Sequence, residues 1–283
     1  VLHTEPTLRS LPSGGALHIS GPESGAPLLF LHGVGGAAWS WRHQRLAFEE
    51  TYRIFVWEAR GHGAAARVPD AGLSDYYTDS KEALDVASAE SGRPANIVAH
   101  SMGGLLAVAL ACDRSASVNS LFLIDPVYST GDDYGHFPPA LGRVALFMAT
   151  PLLQSFERNG KVSRSVARWM FEQSFEDRTR MEEAWRDQRL QVPVEYPRML
   201  RESFGQPQGF ELRDFAREIA QPTYLLEGTS GGHKARFPSL SATLTERLGA
   251  KFTADAIPGG HYLQADRPED VNLRLGRFLQ AYG

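Results

Sequence analysis

The run Asn96-Ile97-Val98-Ala99-His100-Ser101-Met102-Gly103-Gly104 constrains this chain more than any other stretch. Residues 95–99 are mostly apolar and read as a short buried strand, and a helical pattern over 102–114 follows at once. Ser101 therefore stands on the turn between them, with Ala99 and Gly103 two residues to either side. A tight strand-to-helix turn of this kind pushes a hydroxyl out at the top of a sheet, and small flanking residues are needed because the two backbones pass close together. The helix N-terminus adds free N–H groups and the positive end of its dipole. The usual pattern is G-x-S-x-G, and here Ala99 replaces the first glycine. A serine beside glycines is also a common helix N-cap, so the reading depends on what partners the rest of the chain supplies.

A nucleophilic serine needs a base, an acid to orient that base, and donors for the oxyanion. Near the C-terminus, Ile257-Pro258-Gly259-Gly260-His261-Tyr262 follows a predicted strand over 251–257 and precedes a predicted helix over 268–282. This places His261 on a loop at the carboxyl edge of a strand, where open α/β sheets hold their sites. The chain has nine histidines; His261 has the right order and the right flanks, and is the expected base. The apolar run 27–31 ends in His32-Gly33-Val34-Gly35-Gly36. The Val34 and Met102 N–H groups form the natural donor pair for an oxyanion, one from each side of the serine. Neither a G-x-G-x-x-G fingerprint nor a Walker lysine follows, which argues against a phosphate loop. His32 reads as a brace for this turn.

Strand and helix signals alternate along most of the chain. Residues 4–20 suggest a hairpin turning at Pro12-Ser13-Gly14-Gly15. Strands are predicted over 28–31, 52–57, 95–99 and 118–124, with helices over 39–50, 75–91 and 102–114 between them. The pattern resumes with a strand over 223–226 and a helix over 238–248. Continuous apolar strands alternating with helices mean a parallel sheet covered on both faces. Between 128 and 220 the strand signal vanishes, and helices are expected over 139–148, 163–175, 179–190, 195–204 and 212–219.

Together these motifs resemble the α/β-hydrolase fold superfamily, in its lidded esterase, lactonase and C–C-bond hydrolase branch. The resemblance rests on Leu31-His32-Gly33, Glu58-Ala59-Arg60-Gly61-His62-Gly63, the Ser101 run, Leu123-Ile124-Asp125-Pro126, the stretch from Gln221 to Gly228, and Gly259-Gly260-His261. It implies a mostly parallel, eight-stranded, doubly wound sheet, with a helical lid inserted between strands six and seven. The core domain would then comprise 1–127 and 221–283, and the lid 128–220. The family commonly places its acid three residues after the glycine that follows the seventh strand, but here that position holds Gly231. Some lidded members carry the acid after the sixth strand instead. Asp125 is therefore the expected acid, with Glu227 as the competing candidate. Phe137, Leu141, Trp169 and Trp185 are the lid residues expected to face the substrate.

Composition bounds the rest. At 283 residues the chain suits one large α/β domain with an insertion. A net charge of −4 argues against non-specific nucleic-acid binding. No run approaches membrane-spanning length. A single cysteine, Cys112, excludes an internal disulfide framework, fits a reducing compartment, and reads as a small buried hydrophobe. No signal peptide is read, although the chain starts at valine and an upstream segment stays open. The histidines are scattered and there is no H-E-x-x-H, so no metal site and no cofactor are expected. A serine hydroxyl suits attack on a carbonyl. The expected function is thus a cytoplasmic, carboxylesterase-like serine hydrolase acting through an acyl-enzyme. Its partner would be a small-molecule substrate rather than nucleic acid or membrane, and a homodimer stays open. Lactonase, C–C hydrolase and perhydrolase chemistry use the same constellation, and a slow-turnover ligand receptor is the alternative outside catalysis.

Overall fold

A computed structural model describes residues 5–66, 71–127, 168, 171–188, 212–230 and 238–283. Eight strands form one sheet: β1 (Thr7–Ser10), β2 (Ala16–Ser20), β3 (Ala26–Leu31), β4 (Tyr52–Glu58), β5 (Ala95–His100), β6 (Val118–Ile124), β7 (Thr223–Gly228) and β8 (Phe252–Ile257). Their spatial order is β1-β2-β4-β3-β5-β6-β7-β8. The β1–β2 and β2–β4 pairs are antiparallel, and every other pair is parallel. The antiparallel β1–β2 hairpin turns over the Pro-Ser-Gly-Gly stretch anticipated for it.

Alternation across β3 shows why its sequence is apolar at every position. Leu29 and Leu31 enter the core on one sheet face, beside α2 (Leu73–Ser91) and α3 (Met102–Asp113). Leu28 and Phe30 enter the core on the other, with Trp41 and the helix Pro268–Tyr282. Successive side chains of a strand point to opposite faces, so a sheet covered on both sides needs apolar residues throughout. Full burial of each such side chain contributes roughly 1.5–3 kcal/mol.

The chain leaves β3 towards β4 on one side and later returns to β5 on the other. This reversal opens a crevice at the carboxyl ends of β3 and β5, the place where open α/β sheets bind ligands. The loops carrying Val34 and Ser101 both start there.

Local signals account for several helix ends. The Asp75 carboxylate accepts the Gly72 N–H at 2.9 Å, so α2 starts at Leu73 rather than at Asp75. It stops at Gly92, whose φ of 62° is the left-handed conformation that glycine adopts without strain. The helix Pro268–Tyr282 begins on a proline, which loses nothing at a helix start. The expected helix over 39–50 divides into a 3-10 turn, Ala38–Trp41, and α1, Arg42–Phe48. The Ala38 N–H is held by Glu58 Oε1 at 2.9 Å, and the Ala37 N–H reaches Ser40 Oγ, which tightens the first turn. A short helix, Leu263–Asp266, was not anticipated.

Between β6 and β7 the described residues include helices Arg178–Gln188 and Leu212–Ala216. The expected helices over 139–148 and 195–204 lie outside the described residues. The Cys112 thiol is half-buried, 3.5 Å from the Phe215 carbonyl, and burial pushes its pKa up to about 11. No described helix is long and apolar enough to cross a membrane.

Candidate active site

Ser101 ends the turn between β5 and α3 with φ 53° and ψ −121°, a conformation that L-residues rarely hold. Backbone bonds enforce it. The Ser101 N–H donates to the Ile124 carbonyl at 3.1 Å, and its own carbonyl accepts from Gly104 at 2.9 Å and Val127 at 3.1 Å. The flanks must be small for a concrete reason. A Cβ at Gly103 would overlap the Leu31 carbonyl, and one at Gly104 would lie 2.6 Å from Pro126 Cβ.

Ser101 Oγ lies 2.9 Å from His261 Nε2. His261 Nδ1 is hydrogen-bonded to Asp125 Oδ2. A carboxylate only accepts, so this bond places the imidazole proton on Nδ1 and leaves the Nε2 lone pair facing the serine hydroxyl. Asp125 is buried directly beyond β6, with φ 40°, and its N–H continues the ladder to the Leu226 carbonyl at 2.8 Å. Glu227 sits within β7, opposite Ala256 of β8. The structure thus brings Ser101, His261 and Asp125 into one hydrogen-bonded row, from three strand ends.

The glycine turn after β3 is braced by two neutral histidines. His32 Nε2 accepts the Ala59 N–H at 3.1 Å, so its Nδ1 carries the proton and donates to the Gly33 carbonyl at 2.7 Å. Burial lowers the His32 pKa to about 4. His62 Nε2 accepts the Gly35 N–H at 3.1 Å, and burial followed by the His32 neighbour holds its pKa well below the ordinary imidazole value. The Gly33 carbonyl also accepts from Gly36 at 2.9 Å. In a planar trans peptide the N–H points opposite to the C=O, so this double anchor fixes the direction of the Val34 N–H. Met102 opens α3, where an N–H has no intrahelical acceptor.

Several contributors escaped the sequence reading. His100 Nε2 donates to the His261 carbonyl at 2.8 Å, and burial, then the neighbouring His261, keep its pKa well below normal. Glu58 is fully buried under the turn and accepts from the Ala38 and Ala64 N–H groups, with His18 Nε2 3.0 Å away. Burial alone would raise its pKa; the His18 contact and the two backbone donors outweigh that and lower it. Both lie in motifs that carry the resemblance, but no linear signal marked these contacts, because most of the partners come from distant segments.

Phe137, Leu141 and Trp169 lie outside the described residues. Trp185 is buried in an aromatic cluster, its ring 5.5 Å from Phe171, which lies 5.3 Å from Tyr262 and 5.5 Å from Trp39. Tyr262 follows His261, so this apolar wall stands directly beside the imidazole. Among the described residues no group of three or more His, Cys, Asp or Glu side chains is placed to hold a metal ion.

A sequence profile of the alpha/beta hydrolase family matches residues 28–274. The chain belongs to that family. It is 30% identical over 105 residues to (E)-2-((N-methylformamido)methylene)succinate hydrolase of Acinetobacter baylyi. That stretch is 37% of this chain and 39% of the relative's length. A thermophilic esterase from Thermogutta terrifontis superposes with a TM-score of 0.73 at 19% identity, over 99% of both chains. The enol-lactonase from Burkholderia xenovorans LB400 superposes with a TM-score of 0.71 at 19% identity, over 97% of this chain and 100% of its own. At such identities the two superpositions speak to the shared fold.

Proposed function

We propose that this alpha/beta hydrolase is a serine hydrolase of carboxylesterase type, cleaving an ester or similar carbonyl substrate through an acyl-enzyme. The observation that carries the reading is the 2.9 Å contact from Ser101 Oγ to a His261 Nε2 whose opposite nitrogen is bonded to Asp125. Ser101 Oγ attacks the carbonyl carbon while its proton passes to Nε2. The carbon–oxygen double bond opens to an oxyanion, which the Val34 and Met102 N–H groups receive. On collapse, the bond to the leaving alkoxide breaks and Nε2 returns the proton to it. Water then repeats the sequence on the acyl-serine and frees the acid. Asp125 keeps the imidazole in the Nδ1–H tautomer and stabilises the imidazolium. An oxyanion donor of this kind is worth about 10²–10³ in kcat.

The wall of Trp39, Phe171 and Tyr262 supports a small-molecule substrate with an apolar or aromatic portion. The segment 128–220 acts as the lid that excludes water and shapes the pocket. A panel of p-nitrophenyl esters of increasing acyl length, with simple lactones alongside, tests the reading. Turnover of at least one member that disappears in Ser101→Ala is the expected outcome. A panel left untouched by freshly folded protein that nonetheless gains thermal stability from one ligand would favour a receptor.

A further inference from the structure

Three successive residues around His261 are tied to three different parts of the molecule. The Gly260 N–H donates to Asp266 Oδ2 at 2.7 Å. The His261 carbonyl accepts from His100 Nε2 at 2.8 Å. The Tyr262 N–H donates to the Ser174 carbonyl at 3.1 Å. Asp266 closes the short helix that follows the histidine, His100 ends β5, and Ser174 belongs to the insertion between β6 and β7.

Asp266 joins the first of these ties to the insertion. Asp266 is 2% exposed. Besides Gly260 it accepts the Glu176 N–H on Oδ2 at 3.1 Å and the Asp177 N–H on Oδ1 at 2.8 Å. Charge-assisted bonds to backbone N–H groups are the strong class of hydrogen bond, and a buried carboxylate requires them. The contact is close enough that a Cβ at Gly260 would overlap the Ser174 carbonyl. Two ion pairs span the same seam in solvent, Arg267–Glu176 at 2.9 Å and Arg180–Glu269 at 2.7 Å. Exposed pairs of this kind contribute little, so the buried carboxylate is the main polar link.

We propose that Asp266 is a positioning residue for His261: it fastens the insertion segment 174–177 to the histidine loop, so that the insertion braces the imidazole as well as covering it. This rests on the proposed role of His261 as the base. It also changes what removal of the insertion should do. Deleting 128–220 would take away two of the three N–H groups on Asp266 and the acceptor of the Tyr262 N–H. The chemical step would suffer, not merely substrate choice.

The test is Asp266→Asn, measured with p-nitrophenyl acetate after thermal unfolding shows that the variant is folded at the assay temperature. The amide keeps one acceptor oxygen in place of two, so at least one of the three N–H groups loses its partner. A loop displaced by a fraction of an ångström costs rate rather than affinity. The expected result is a fall in kcat of about 10- to 100-fold with KM changed by less than about twofold. Arg267→Gln, which breaks the exposed pair and leaves all three N–H groups on Asp266, should stay within about twofold of the unmodified rate. Unchanged kcat in folded Asp266→Asn, or a loss confined to KM, overturns the proposal. Amide hydrogen exchange on the unmodified protein decides the same point without a variant. Gly260, Tyr262, Glu176 and Asp177 should be protected together; free exchange at Glu176 and Asp177 would show that no brace exists. Ser101→Ala that still turned over ester would sink the serine reading, while the exchange pattern would continue to decide the brace.

Discussion

Ser101 and Asp125 are the two non-glycine residues with positive φ among the described residues, at 53° and 40°, and their loops are bonded backbone to backbone. The Ser101 N–H reaches the Ile124 carbonyl, and the Val127 N–H returns to the Ser101 carbonyl, both at 3.1 Å. Each strained residue costs on the order of 1–3 kcal/mol and persists only where its surroundings over-determine it. Here the two strains support one another, and His261 spans the gap between the side chains.

Asp125 and Glu227 can be separated by their amides. Asp125→Asn should lower kcat by about 10⁴, since an amide facing Nδ1 favours the wrong tautomer. Asparagine tolerates positive φ nearly as well as aspartate, so the fold should survive. Glu227→Gln should leave kcat within about tenfold, less than the loss of a positioned acid. Steady-state kinetics on both variants checks this, and the reverse ranking would move the acid to β7.

Gly103→Ala should destabilise the protein by about 2–3 kcal/mol, because the added methyl overlaps the Leu31 carbonyl and lies 2.8 Å from that of His32. Both obstacles are backbone atoms and cannot rotate away. Urea unfolding of the variant measures the cost, and a change below about 0.5 kcal/mol would mean that α3 and β3 are further apart than described.

Stability should decline as pH falls from 6.5 towards 4. His32 is held at about 4 by burial, against an ordinary value of 6.5. A group whose folded pKa is depressed contributes its full stability above the unfolded value and loses it as pH falls to the folded one. For His32 alone the shift corresponds to roughly 3 kcal/mol. His62 and His100 are depressed in the same direction and add to it. Glu58, also lowered, extends the loss below its ordinary 4.5. Chemical denaturation at pH 8, 6.5 and 5 reads the slope, and a flat profile would show that these histidines are not buried neutral.

The fold was legible because apolar strands, helix periods and glycine turns occur in order along the chain. The bounds of β6, of the helix Pro238–Leu248 and of the final helix match the sequence reading to the residue. That Ser101, His261 and Asp125 lie within hydrogen-bond reach of one another was legible because the loops that carry them have local signatures or a familial position. Asp266, His100 and Glu58 were not, because their roles lie in what they accept or donate across the fold. A carboxylate before Arg267-Pro268 reads as an ordinary helix-start residue until the Glu176 and Asp177 N–H groups are found on it. Which residues of 128–220 would face a substrate was least legible, since an apolar residue in a helix looks the same whether it faces a pocket or a core.

The most direct measurement is intact-protein and peptide mass spectrometry of the protein quenched in acid during turnover of a p-nitrophenyl ester. A single acyl adduct on the peptide bearing Ser101 is expected, absent from Ser101→Ala, with turnover in that variant reduced to the residual level of binding and oxyanion effects, about 10³–10⁴ over water. An adduct on another residue, or undiminished turnover by Ser101→Ala, would contradict the assignment of Ser101 as the nucleophile.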